Sequence, residues 1–129
     1  MRYLNLFRKI TNISTRHCFN YNSTIFFCVP KQLVSKAVGS EGKNVKKLNE
    51  ILRKKIRIIP IPRAISHVKS FISEIVSPII FKDIQINEDE IILSSSSKNK
   101  AALIGRNKRR LYEMQKIIKS YFNKEFRIV

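Results

Sequence analysis

Ala37-Val38-Gly39-Ser40-Glu41-Gly42-Lys43-Asn44-Val45-Lys46-Lys47-Leu48 ends one run of apolar residues at helical spacing and begins another. Before it, Leu33, Val34, Ala37 and Val38 fall on one side of a short helix that Pro30 can open. After it, Val45, Leu48, Ile51 and Leu52 recur at i, i+3, i+6 and i+7. The stretch therefore predicts two helices meeting at a turn with a glycine at each end.

Outward from this turn, the elements on either side complete a unit. Arg2 to Ile13 carries Leu6, Phe7, Ile10 and Ile13 as the core-facing stripe of a first helix. Arg16 to Phe19 and Thr24 to Val29 are β-branched or aromatic stretches, and Asn20-Tyr21-Asn22-Ser23 between them suits a hairpin turn. Beyond the second helix of the pair, Lys54-Lys55-Ile56-Arg57-Ile58-Ile59 alternates basic and apolar residues as a half-buried strand does, and Pro60 and Pro62 interrupt the chain. The order is helix, strand, strand, helix, glycine loop, helix, strand.

The same order recurs from about Arg63. Ile65, Val68, Ile72, Ile75 and Val76 mark a helix that Pro78 terminates. Ile79 to Ile86 and Glu90 to Leu93 read as strands around an Asn87-Glu88-Asp89 turn. Ser94-Ser95-Ser96-Ser97 offers a helix cap, Lys98 to Ile104 follows as a helix, and Gly105-Arg106-Asn107-Lys108 interrupts it. Leu111, Met114, Ile117, Ile118, Tyr121 and Phe122 continue as the apolar face of a last helix, before a closing strand at Phe126-Arg127-Ile128-Val129. Val38-Gly39 is answered by Ile104-Gly105, and an internal duplication follows, with a first domain at 1–60 and a second at 61–129.

The chain of 129 residues has 26 Lys and Arg against 9 Asp and Glu, a formal charge of +17 that calls for a polyanionic partner. Nucleic acid is the leading candidate, because each neutralised phosphate releases a counterion. The rival, an anionic membrane surface, lacks support: the longest apolar runs are strand-like pieces such as Thr24 to Val29. No acid precedes Glu41, which gives the start Met1 to Lys9 some flavour of an organellar transit peptide. The core stripe of a first helix accounts for the same residues, and a cytoplasmic protein is expected.

A glycine loop joining two short helices is the arrangement of the KH domain, where the loop clamps the backbone of about four nucleotides. Glycines let the sugar–phosphate chain approach, and the helix that follows offers free N–H groups and a positive dipole. Bases then lie over an apolar groove beside the first helix and the adjacent strand. Taken alone, Gly-x-x-Gly is a common feature of turns and helix caps.

In its context the stretch becomes specific, since Gly39-Ser40-Glu41-Gly42-Lys43-Asn44-Val45 fits the pattern apolar-Gly-x-x-Gly-x-Asn-Val and resembles the KH units of NusA. Leu6-Phe7-Arg8-Lys9-Ile10-Thr11 with Thr15-Arg16-His17-Cys18 is similar to the start of archaeal-type NusA proteins, and the likeness covers nearly the whole chain. The resemblance implies an α+β fold of two tandem type II KH domains packed as one rigid unit. It also implies a role in transcription elongation, termination or antitermination through single-stranded nascent RNA. RNA polymerase enters as a possible second partner, although no stretch is left over for the polymerase-binding and oligonucleotide-binding domains of bacterial NusA. A ribosome-associated or RNA-chaperone KH protein is the alternative that the same fold and charge support.

The expected RNA-binding residues are Lys36, Gly39, Ser40, Glu41, Gly42, Lys43, Asn44, Lys46 and Lys47 in the first unit. In the second they are Lys98, Lys100, Gly105, Arg106, Asn107, Lys108, Arg109 and Arg110. The two loops depart from the pattern differently. Glu41 places an acid in the first clamp, with Lys43, Lys46 and Lys47 to compensate. Lys108 stands where the second loop should close on glycine, so its backbone is expected to follow the turn less freely, with Arg106, Lys108, Arg109 and Arg110 contributing side-chain contacts instead.

Other chemistries find less support. Cys18, Cys28, His17 and His67 show no metal-ligand spacing, and the cysteines are expected as thiols although they sit on neighbouring strands. The Asn87-Glu88-Asp89-Glu90 cluster lacks the further carboxylates of a cation loop. An enzyme would need a nucleophile with its base or a paired acid site, and neither histidine sits near a motif able to supply one, so no enzyme, no cofactor and no small-molecule substrate is expected. Tyr3, Tyr21, Tyr112 and Tyr121 are residues of a type that stacks on bases, but aromatics at helical spacing such as Tyr121 and Phe122 more often fill a core, and no stacking residue is assigned.

Overall fold

The computed structural model describes residues 2–129; Met1, the first residue of the expected first domain and of the basic opening segment, lies outside it. The chain divides between Ile61 and Pro62 into two compact α+β units. The first contains α1 (Arg2–Thr11), β1 (His17–Tyr21), β2 (Thr24–Val29), α2 (Val34–Val38), α3 (Lys43–Leu52) and β3 (Lys55–Pro60). The second contains α4 (Val68–Val76), β4 (Asp83–Ile86), β5 (Glu90–Ser94), α5 (Ser97–Ile104), α6 (Arg109–Phe122) and β6 (Glu125–Ile128). Short 3-10 turns lead into α2, α3, α4 and α6.

Each unit has one three-stranded sheet of the same topology. The hairpin is antiparallel, β1 with β2 and β4 with β5, and the last strand adds parallel to the middle one, β3 to β2 and β6 to β5. A parallel neighbour requires a crossover, which the paired helices provide. In the first hairpin the strand runs on through Tyr21, and the turn tightens to Asn22-Ser23, both at positive φ (51° and 60°). Such left-handed pairs match the twist of the flanking strands.

Ile25, Phe27 and Val29 of β2 and Ile56 and Ile58 of β3 form one buried cluster with Phe7, Ile13, Ala37 and Leu48 from the helical side. Phe7 stacks on Phe27 with ring centroids 4.5 Å apart, fixing α1 to the sheet. Every residue of β2 is buried, which is why its sequence is a continuous apolar run instead of an alternating one. In the second unit Val68, Phe71, Ile72, Ile75 and Val76 of α4 are buried, as are Ile91, Leu93, Leu103, Met114, Ile117, Ile118 and Phe126.

One sequence expectation needs correction. Ile79 to Phe81 is not strand; β4 begins only at Asp83. Asp83 pairs with Ser94, the last residue of β5, and Lys82 N still donates to Ser94 O at 2.7 Å, but Ile79 to Phe81 lie beyond the ladder. Ile80 is 73% exposed, and its carbonyl accepts a hydrogen bond from Asn99 Nδ2 at 3.0 Å. Among the serines, Ser96 is the cap of α5, its Oγ accepting from Asn99 N at 3.3 Å.

Candidate nucleic-acid interface

The two glycine loops have the same backbone path. Gly39 (φ 83°, ψ 165°) ends α2, Glu41 (φ 55°, ψ 26°) turns left-handed, and Gly42 (φ 72°, ψ 22°) caps α3. Gly105 (φ 78°, ψ 172°), Asn107 (φ 56°, ψ 27°) and Lys108 (φ 61°, ψ 22°) repeat these values between α5 and α6. The hydrogen bonds repeat too: Gly42 N donates to Gly39 O at 3.0 Å, and Lys108 N to Gly105 O at 3.2 Å. The expectation that Lys108 would hinder this path is therefore corrected. A Cβ at the Gly42 position would meet nothing within 4 Å, so a side chain there enters open space, and the residual cost is that of left-handed backbone alone.

The leading glycines are different. A Cβ on Gly39 would lie 3.0 Å from Asn44 Nδ2 and Lys43 Cγ, and one on Gly105 would lie 2.9 Å from Arg110 Cγ. Their φ and ψ also lie in a region that only glycine populates freely. Both loops keep glycine at the position where it is required.

Neither α3 nor α6 has a side-chain cap at its N-terminus, and neither has an acid in its first turn. The first N–H groups are held by the turn before each helix: Gly42 N and Lys43 N donate to Gly39 O and Ser40 O, and Lys108 N and Arg109 N to Gly105 O and Arg106 O. Lys43 and Lys46 stand in the first turn of α3, and Arg109 and Arg110 in that of α6. Cations there oppose the helix dipole, which favours negative charge at this end. The arrangement brings the positive dipole and basic side chains together at a helix start with no acid beside it, which suits a phosphate.

Of the expected contact residues, Lys36, Ser40, Glu41, Lys43, Lys46 and Lys47 are exposed around the first loop, as are Arg106, Asn107, Lys108 and Arg109 around the second. Asn44 and Arg110 are half-buried and bonded internally: Asn44 Nδ2 donates to Ala37 O at 3.1 Å, and Arg110 Nη1 to Ala102 O at 2.9 Å. Lys98 and Lys100 lie in the N-terminal half of α5, on the order of 8–10 Å of helix rise from Gly105, and are not part of the loop cluster.

The sequence did not single out a shallow groove beside the first loop, lined by Val45, Lys46, Asn49, Lys55, Ile56 and Arg57. It has an apolar floor and a basic rim. Arg57 also lies over the Phe26 ring, 5.5 Å from its centroid. The alternation of Lys55, Ile56 and Arg57 in β3 was the available signal, since on a strand at the sheet's edge it sets an apolar residue between two basic ones.

Cys18 and Cys28 form no disulfide. Cys18 pairs across the hairpin with Phe27, and Cys28 with His17, so the two thiols face opposite sides of the sheet. Among the described residues, no three His, Cys, Asp or Glu side chains gather as a metal site would require, and no helix is long and apolar enough to cross a membrane.

No family model matches the chain, and no curated protein matches it either. The crystal structure of APE1850 is similar to it, with a TM-score of 0.69 at 21% sequence identity over 99% of this chain and 94% of that one. The two chains share a fold.

Proposed function

We propose that this chain is a single-stranded-RNA-binding protein of the NusA type, made of two tandem type II KH domains, one in each α+β unit. It acts on nascent RNA in transcription elongation, termination or antitermination, in the cytoplasm. The observation that carries the reading is the duplicated loop: two turns of matching dihedral angles, each opening a helix whose first turn is basic, acid-free and uncapped.

Binding follows from these parts. Phosphates settle at the first turns of α3 and α6, where backbone N–H groups and the cations Lys43, Lys46, Arg109 and Lys108 converge. At the first loop, Gly42 has no side chain to hold the sugar–phosphate chain away. Bases reach the groove of Val45 and Ile56, with Asn49 and Lys55 at its rim to read their edges. The role needs no cofactor, metal or catalytic group.

The test is charge reversal of Lys46 and Lys47, which stand exposed on α3. Binding of a labelled single-stranded RNA should weaken, and the slope of log K against log salt should fall by about 0.7 for each phosphate contact removed. An unchanged affinity and slope would remove the first loop from the interface. Purification from the native cell, with polymerase or with ribosomal particles as the co-purifying material, separates the transcriptional role from the ribosomal one.

A further inference from the structure

The four tyrosines have different surroundings. Tyr21 is 3% exposed, Tyr3 packs against the first unit's core, and Tyr121 packs on Phe71 with centroids 5.1 Å apart. Tyr112 is 53% exposed in the first turn of α6, the one aromatic among the large apolar residues exposed in the described chain. A single exposed apolar side chain is ordinary in itself. Its position is not.

Counted from the leading glycine of each loop, Tyr112 corresponds to Lys46, which lines the groove with Val45 and Ile56. The second unit thus has an aromatic ring where the first has a phosphate-seeking cation. Arg109 and Lys116 stand at i−3 and i+4 from Tyr112, so they are its neighbours on the helix surface; Lys108 caps the helix just before Arg109, and all three are exposed. Glu113, the one acid of α6, lies about 100° round the helix from it.

We infer that Tyr112 stacks on a base of single-stranded RNA held at the second loop, with Lys108 and Arg109 on the flanking phosphates. The inference rests on the RNA-binding reading above. The second loop carries Lys108 where the first has Gly42, and so lacks that point of close backbone approach. A ring supplies a different hold, one that tolerates any base because every base has a π-face. The first unit then selects among sequences through its groove, and the second grips without selecting.

The experiment uses the full chain and a fluorescein-labelled single-stranded RNA of about 12 nucleotides, several times the roughly four that one such loop clamps. Tyr112→Ala should raise Kd roughly 5- to 100-fold with the salt slope unchanged, whereas Tyr112→Phe should bind as the parent does. The chain has no tryptophan, so Tyr112→Trp adds a unique fluorophore. Its emission should be quenched by the RNA and not by inorganic tripolyphosphate, and this holds as a readout even if Tyr112→Ala folds poorly. Parent-like affinity of Tyr112→Ala, or equal quenching by tripolyphosphate, overturns the stacking role and leaves RNA binding standing. A parent chain that fails to bind the RNA overturns both.

Discussion

Asn44 and Arg110 stand at the same distance beyond the leading glycine of their loops, and each donates a hydrogen bond back across the loop to a carbonyl of the preceding helix. Asn44 reaches Ala37 O at 3.1 Å, and Arg110 reaches Ala102 O at 2.9 Å. These carbonyls belong to the last turns of α2 and α5, where no further helical N–H is available to them. The two side chains tie helix to helix and hold the turn at its width. Replacing Asn44 with Ala is expected to lower unfolding free energy by about 1 kcal/mol. Urea denaturation measures this, and an unchanged midpoint would mean that the tie carries no load. The RNA salt slope should stay as it is, because no charge is lost.

The glycines of the first loop should differ in tolerance. Gly39→Ala forces a non-glycine conformation and drives Cβ against Asn44 and Lys43, so a loss of about 1–3 kcal/mol is expected. Gly42→Ala meets no atom and costs only the left-handed φ, about 1 kcal/mol. In the second loop the reverse change, Lys108→Gly, should stabilise the chain by about 0.5 kcal/mol while lowering the RNA salt slope by about 0.7. Thermal unfolding of the three variants ranks them, and a Gly42→Ala as damaging as Gly39→Ala would contradict the geometry.

Burial pushes the Cys18 thiol up from its ordinary 9.0 to about 11. Desolvation disfavours the thiolate in the folded chain, so the unfolded chain ionises first as pH rises. Stability should be indifferent to this group below about pH 9 and fall between there and pH 11. Iodoacetamide at pH 8 should label the native protein slowly and the urea-unfolded protein quickly, Cys28 being fully buried. Rapid native labelling at Cys18 would contradict the burial.

The duplication was legible because the residues that punctuate it are the ones that local sterics demand: Gly39 and Gly105 have no substitute at their φ and ψ. Lys108 misled for a related reason. Sequence tells that a position is left-handed in a repeat, but not whether space beside it is empty, and at Gly42, the counterpart of Lys108, it is. Asn44 and Arg110 looked like RNA contacts because polar side chains near a phosphate loop invite that reading; their carbonyl partners appear only once α2 and α5 are folded. Tyr112 stands one residue off the apolar face of Leu111, Met114 and Ile118, so its outward position was legible, and its role was not, because an exposed tyrosine alone names no ligand. The apolar run at Ile79 to Phe81 reads as strand because strand pattern is local, whereas the length of a strand is set by the end of its neighbour.

The middle strand β2 is paired on both edges and buried throughout. Thr24-Ile25-Phe26-Phe27-Cys28-Val29 is also six residues of high β-propensity without charge or proline, the composition of a segment that self-associates when unprotected. In the native chain β1 and β3 occupy both of its ladders, and β3 follows the two crossover helices in sequence. A chain still being synthesised, or one just unfolded, has this strand half-covered at best. Aggregation during refolding should therefore begin at β2, rise with protein concentration, and be relieved by Asn22→Asp, which puts a charge in the exposed left-handed turn that leads into the strand.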